Sequence, residues 1–177
     1  MLSVLLKVLR RGGGRAMDPL QVSMTGVRMG ERFMQIGCDD RALLGGLALK
    51  VGLSGVAAAV VFDKPSAARA RKLAAKVGAL VDVQQTTPSA VQVEPAAFDM
   101  IVVDDTAGAF AKLSPDDRAR CFASALRAAR PGGRIEVIEG MATAGSTEAE
   151  LTRAGFTPVR VLAERDGRRF VEGLKSA

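Results

Sequence analysis

The sequence predicts an α/β protein whose mainly parallel sheet is covered by helices on both faces. Three observations carry that expectation. From Phe33 onward, short apolar runs alternate with helix-length segments, five times in succession. Glycine and proline punctuate the joins, at Gly52, Pro65, Gly78, Pro115 and Pro131-Gly132-Gly133. Two last apolar runs flank Asp166-Gly167, a hairpin turn that adds one antiparallel strand.

The first strand is expected over 33–37, where Phe33, Met34 and Ile36 lead into Gly37. A helix over 41–51 carries Leu43, Leu44 and Leu47 on one face and closes at Gly52. Asp39 and Asp40 precede its first turn and can cap it. The second strand covers 56–62 and ends in Asp63. The next helix begins after Pro65, with Ser66 as N-cap, and ends at Gly78. The third strand covers 80–84, and 86–97 read as loop. The fourth covers 98–103 and closes on Asp104 and Asp105. Ser114 is placed to cap a helix, with Pro115 at its first position and Asp116 and Asp117 at its positive end. Pro131-Gly132-Gly133 stop that helix, and the fifth strand covers 134–138. Thr147 and Glu150 make a capping box for a helix ending at Gly155. Segments 159–162 and 169–174 form the hairpin, with Arg168 and Arg169 on its solvated surface.

The front of the chain reads differently. Leu2, Leu5, Leu6 and Leu9 recur at helical spacing, flanked by Lys7, Arg10 and Arg11, before Gly12, Gly13 and Gly14 break the pattern. Pro19 and Gly26 mark 17–32 as loop with a short helix over a pocket mouth. Residues 1–32 thus form a segment ahead of one domain at 33–177. Lid, membrane-surface helix and dimer arm are all open for it.

Composition narrows the chemistry. A chain of 177 residues, 48% hydrophobic and 25% charged, suits one globular core. It holds no His, Tyr or Trp, so an acid or base must be Asp, Glu, Lys, Cys, Ser or Thr. The net charge of +6 is concentrated in residues 1–32, which carry +4. The nearly neutral body argues against a broad nucleic-acid footprint. Cys38 and Cys121 are too few for a disulfide framework or a zinc site, which points to reduced thiols and a cytoplasmic setting. No apolar run reaches the length of a membrane span, and no signal peptide is expected.

Residues 33–63 carry the functional signal. Strand, glycine turn, helix, strand and terminal acid are the layout of a nucleotide-type pocket. Gly37 lets backbone approach a ligand, and Asp63 can accept hydrogen bonds from ribose hydroxyls. Cys38 reads as a small core residue. Asp104-Asp105 could form half of a metal site, but no further ligand is visibly poised, so no metal is expected.

Four segments, QIGCDD (35–40), VVFDKP (60–65), FDMIVVDD (98–105) and RAARPGGRIEVIE (127–139), stand in the order of the class I S-adenosylmethionine-dependent methyltransferases, which the chain resembles over 33–177. The ending AGFTPVRVLAERDGRRFVEGLK fits the same family. Among its members, the small unadorned body is most similar to the ubiquinone/menaquinone-biosynthesis type.

The resemblance implies a Rossmann-like, doubly wound sheet of seven strands in the order 3-2-1-4-5-7-6, with strand seven antiparallel. It implies S-adenosylmethionine as cofactor, S-adenosylhomocysteine as product, and a small-molecule acceptor, a lipophilic one among the options. Gly37, Cys38 and Asp39 would run along the methionine part. Asp63 would hold the ribose, with Lys64 beside the adenine. Gln85 and Thr86 would lie near the adenine amino group, and Asp104 would border the transferred methyl. Asp39 and Arg41 stand where the family has its later glycines, and Gln35 stands for its leading acid. Asp39 could pair with the ligand's ammonium group or block the ligand. Two alternatives follow. One is an interaction or scaffold protein without catalysis. The other is an NAD(P)-binding Rossmann protein, which the adjacent carboxylates at Asp39-Asp40 disfavour because they would repel a pyrophosphate. No residue stands out as a catalytic base.

Overall fold

The computed structural model describes residues 18–177. The leucine pattern at residues 2–9, and with it most of the expected arm, lies outside the described residues. A short helix α1 (Pro19–Met24), capped by the Asp18 carboxylate, precedes the first strand.

Seven strands follow: β1 (Arg32–Ile36), β2 (Val56–Val61), β3 (Val81–Gln85), β4 (Phe98–Asp105), β5 (Ala129–Gly140), β6 (Val159–Arg165) and β7 (Arg168–Leu174). Four longer helices connect them: α2 (Arg41–Val51), α3 (Lys64–Val77), α4 (Pro115–Ala128) and α5 (Thr147–Ala154). The sheet order is β3-β2-β1-β4-β5-β7-β6, with β7 antiparallel to both of its neighbours, as the resemblance implies. From β1 the chain steps outward through β2 to β3 and then returns to β4. The strand order therefore reverses between β1 and β4, and the crevice at their carboxyl ends is where such sheets bind ligands.

Alternation along the central strands feeds two cores. Phe33, Met100, Val102, Ile138 and Phe170 meet Leu43, Leu44, Leu47 and Val51 of α2 on one face. Met34, Ile36, Ile101, Val103 and Val137 meet Phe122, Ala125 and Leu151 of α4 and α5 on the other. Burial on both faces explains why these strands read as near-continuous apolar runs. Gly45 lets α2 pack closely on α3, because a Cβ there would lie 3.2 Å from Leu73.

Three local expectations change. Asp63, not Ser66, caps α3, and its Oδ1 accepts from the Ser66 backbone N–H at 2.7 Å. Pro65 is tolerated in the first turn because the N–H it lacks would have no helical partner. Thr147 and Glu150 form no capping box. Ser146 occupies the cap position, the Thr147 hydroxyl donates to Glu139 at 2.6 Å, and Glu150 pairs with Arg118. Arg168 and Arg169 are not on a solvated surface. Arg168 bridges Asp18 and Asp40, and Arg169 joins Glu139, Glu148 and Glu164.

Candidate functional site

The crevice between β1 and β4 is built around Gly37. Its φ of +85° is one that side-chain-bearing residues rarely adopt. A Cβ on it would sit 2.7 Å from the Asp104 carbonyl oxygen. Its N–H donates to the Val60 carbonyl at 2.9 Å, so one residue joins the tips of β1, β2 and β4.

Asp104 faces inward beneath this turn. Its Oδ2 accepts from the Asp40 backbone N–H at 2.7 Å and from Gln35 Nε2 at 3.5 Å. Its Oδ1 accepts from the Thr106 hydroxyl at 2.9 Å. Burial pushes its carboxyl up from 3.8 to about 6, against the pull of those donors. Gln35 also donates to the Gly37 carbonyl at 3.1 Å. The amide that replaces the family's leading acid thus braces the turn from below. Cys38 is buried beside it, and desolvation, then the Asp104 charge, push its thiol up to about 12, far from a reactive thiolate.

Asp39 and Asp40 divide two tasks that the sequence left together. Asp40 caps α2 by accepting from the Ala42 N–H at 3.0 Å, and Arg168 lies 3.5 Å from its other oxygen. Asp39 reaches across the crevice instead. Its Oδ2 accepts from the backbone N–H groups of Ala107 at 2.9 Å and Ala109 at 3.3 Å, in the loop after β4. Arg41 is exposed at the first position of α2.

Asp63 is exposed at the tip of β2. The Ser66 backbone N–H holds its carboxyl below the usual range, so it is ionised at neutral pH. The Ser66 hydroxyl donates to its Oδ2 at 2.7 Å and itself accepts from Arg69. Each carboxylate oxygen has capacity for a further donor. Lys64 is the exposed residue beside it. Thr86 is tied to the same strand tip, since its N–H donates to the Val61 carbonyl at 3.0 Å, and its hydroxyl donates to the Ala90 carbonyl. Gln85 pairs with Val61 at the end of β3 and is exposed. The fold therefore places Gly37, Cys38, Asp39 and Asp104 at the crevice, and Asp63, Lys64 and Thr86 along the adjoining rim.

A cleft of about 120 Å³ opens at the ends of β4 and β5, against the start of α5. Asp105, Glu139, Arg118, Glu150 and Thr143 line it. Arg118 forms a two-point pair with Glu150, at 2.9 and 3.1 Å. Burial lifts the Asp105 carboxyl to about 6, although the Phe110 and Ala111 N–H groups donate to it. Sequence reasoning missed Glu139, which lines this cleft, and Thr106 and Arg168, which hold Asp104 and Asp40 at the crevice. Their only signal is position beside a strand end. Among the described residues, no three His, Cys, Asp or Glu side chains converge as metal ligands.

The family model described as "Methyltransferase domain" matches residues 34–137. No curated protein matches the sequence. Solved structures share the fold at low identity. A SAM-dependent methyltransferase from Aquifex aeolicus is 19% identical, with 97% of each chain covered and a TM-score of 0.77. A SAM-dependent O-methyltransferase from Thermotoga maritima is 17% identical over 97% of this chain and 70% of its own, with a TM-score of 0.72. A Thermus thermophilus 16S rRNA methyltransferase, solved with AdoMet and guanosine, is 16% identical over 94% of this chain and 40% of its own, with a TM-score of 0.62.

Proposed function

We propose, from the premise that this chain belongs to the methyltransferase domain family, that it binds S-adenosylmethionine across the tips of β1, β2 and β4 and methylates a small acceptor. The observation that carries this reading is Asp63: an exposed, ionised carboxylate at the end of β2, on the rim that adjoins the glycine turn at the end of β1. Its unused lone pairs suit a ribose diol. The neighbouring Asp39-Asp40 carboxylates suit a ligand without phosphate and disfavour a dinucleotide.

S-Adenosylmethionine supplies an already activated methyl: the acceptor's nucleophilic atom bonds to that carbon as the S–C bond breaks, leaving a neutral thioether. The residues present bind and align. Asp63 fixes the ribose. Gly37 admits backbone close to the ligand, and Asp104 holds the turn in shape from beneath. Alignment alone can supply several kcal/mol. With no His or Tyr in the chain, a carbon or thiol nucleophile is favoured over an alcohol that needs strong general-base help. The ubiquinone/menaquinone-biosynthesis subtype is our finer reading, supported by the small body without insertions.

One observation favours a second reading, a scaffold without catalysis. Asp39 spans the crevice to Ala107 and Ala109, over the place the ligand's methionine end would take. Titration calorimetry with S-adenosylhomocysteine separates the two. Binding that Asp63→Asn weakens about 10- to 100-fold supports methyl transfer. Asparagine still caps a helix, so α3 stays folded. No binding by a folded protein at millimolar ligand would overturn methyl transfer and favour the scaffold reading.

A further inference from the structure

We infer that the end of the molecule opposite the crevice docks on an anionic lipid bilayer, inserting leucine and methionine side chains between lysine contacts. The inference does not rest on methyl transfer. α2 and α3 both start at the strand tips, where Asp40 and Asp63 cap them, and both run back to finish together at the far end of the sheet. Exposed apolar side chains gather there: Leu53 is 95% exposed, Leu80 87%, Met29 80% and Leu49 56%. They account for four of the six large apolar side chains exposed among the described residues.

Backbone pairing brings the segments that carry them together. The Gly30 N–H donates to the Val51 carbonyl at 2.9 Å, and a Cβ on Gly52 would lie 4.0 Å from Met29, so Met29 and Leu53 flank one turn. Leu80 precedes Val81, which pairs with Ala57 on the strand that follows this turn.

Positive charge lies beside them. α3 carries no acidic residue, and its second half ends in Arg71, Lys72 and Lys76, although residues 33–177 together carry only +2. Lys72 and Lys76 are exposed one turn apart, and Arg28 and Lys50 stand next in sequence to Met29 and Leu49. Among the described residues, Lys50, Lys72 and Lys76 enter no ion pair with a carboxylate. A lysine in the last turn of each helix also complements the helix dipole, which accounts for Lys50 and Lys76. It does not account for Lys72 or for four bare apolar side chains.

The occupant follows from using both features. A second copy of the chain would set like charges against each other. A nucleic acid would use the lysines but leave the leucines in water, and single strands call for stacking aromatics. The chain has no Trp or Tyr, and six of its seven Phe are buried. An anionic bilayer surface takes the cations at its headgroups and the apolar tips at its acyl boundary.

The test is flotation of the full chain with vesicles of phosphatidylcholine alone or mixed with phosphatidylglycerol. The expected result is binding to the mixed vesicles only, weakening as salt rises. Leu53→Ser with Leu80→Ser, and separately Lys72→Glu with Lys76→Glu, should each weaken it about tenfold or more without lowering the melting temperature. Absence of binding to anionic vesicles would overturn the inference. So would equal binding by the variants, which would place the contact elsewhere in the chain. Capture of a labelled single-stranded RNA that only the lysine variant loses, without flotation, would assign the face to nucleic acid and also overturn it.

Discussion

Gly37 organises the crevice by lacking a side chain. Any Cβ there meets the Asp104 carbonyl and must also adopt a positive φ. Gly37→Ala should therefore cost about 2–4 kcal/mol in urea unfolding, more than a strain-free glycine replacement. A cost below about 1 kcal/mol would show that the β1 turn can slide away from β4. The glycine and the acid at the end of β2 were both legible in the sequence, because turn chemistry and strand ends leave local marks. The direction of a side chain leaves none. Asp104 was legible only as a strand-end acid, and the structure adds that its carboxylate lies under the turn, where Asp40, Gln35 and Thr106 surround it. Asp39 and Asp40 looked equivalent as caps, and only the loop after β4 separates them, a contact 68 residues away in sequence.

The element scale shows a sheet that tolerates charge inside. Glu136 of β5 faces Glu172 of β7 directly across the antiparallel ladder, and both are buried. Arg160 reaches Glu172 at 2.8 Å, and Arg134 lies 3.6 Å from it. Glu136 Oε1 has no hydrogen-bond partner among the described residues. Burial, reinforced by Glu172, lifts its carboxyl from 4.5 to about 8. The folded state thus holds this proton more tightly than the unfolded chain does. The contribution of Glu136 to stability is greatest below the ordinary value and declines as pH rises from 4.5 toward 8. Asp104 and Asp105, each lifted from 3.8 to about 6, add a decline of the same sign at lower pH. Glu136→Gln cannot ionise. Its advantage over the parent in urea unfolding should be larger at about pH 8.5 than at about pH 5. An equal offset at both pH values would remove ionisation as the cause.

Element existence was readable from periodicity, and element ends less so. Pro131-Gly132-Gly133 marked the end of α4, but β5 already begins at Ala129, opposite Phe98. The ladder shifts register between Phe98 and Met100, so the strand passes through the Pro-Gly-Gly segment as an irregularity rather than starting after it. Long-range pairing decides such boundaries, and a single sequence does not display it. The same holds for Thr147 and Glu150, whose spacing fits a capping box while Glu139 and Arg118 claim their side chains.

At the scale of the whole molecule, alternation predicted a mainly parallel sheet with helices on both faces, and the family resemblance supplied the strand order that the structure shows. The two cores and the reversal between β1 and β4 leave a single line of strand tips along which Asp63, Gly37 and Asp104 are set. The basic, apolar far end was not legible, because its residues are scattered over 28–80 and only the two helices' parallel descent brings them together. α3 rises about 21 Å over its 14 residues, so a bilayer at that end would leave the strand tips facing water.

Asp39 holds the segment at 107–109 by two amide contacts, and under the proposed methyl-transfer reading a ligand ammonium group would compete for the same oxygen. Capture then has a unimolecular prelude, in which those contacts part before the newcomer settles. In stopped-flow mixing with S-adenosylhomocysteine, the observed rate constant should climb and then flatten with concentration. Asp39→Gly, which severs the bridge, should restore a straight line. A straight line for the parent protein would mean that the bridge opens faster than ligand arrives.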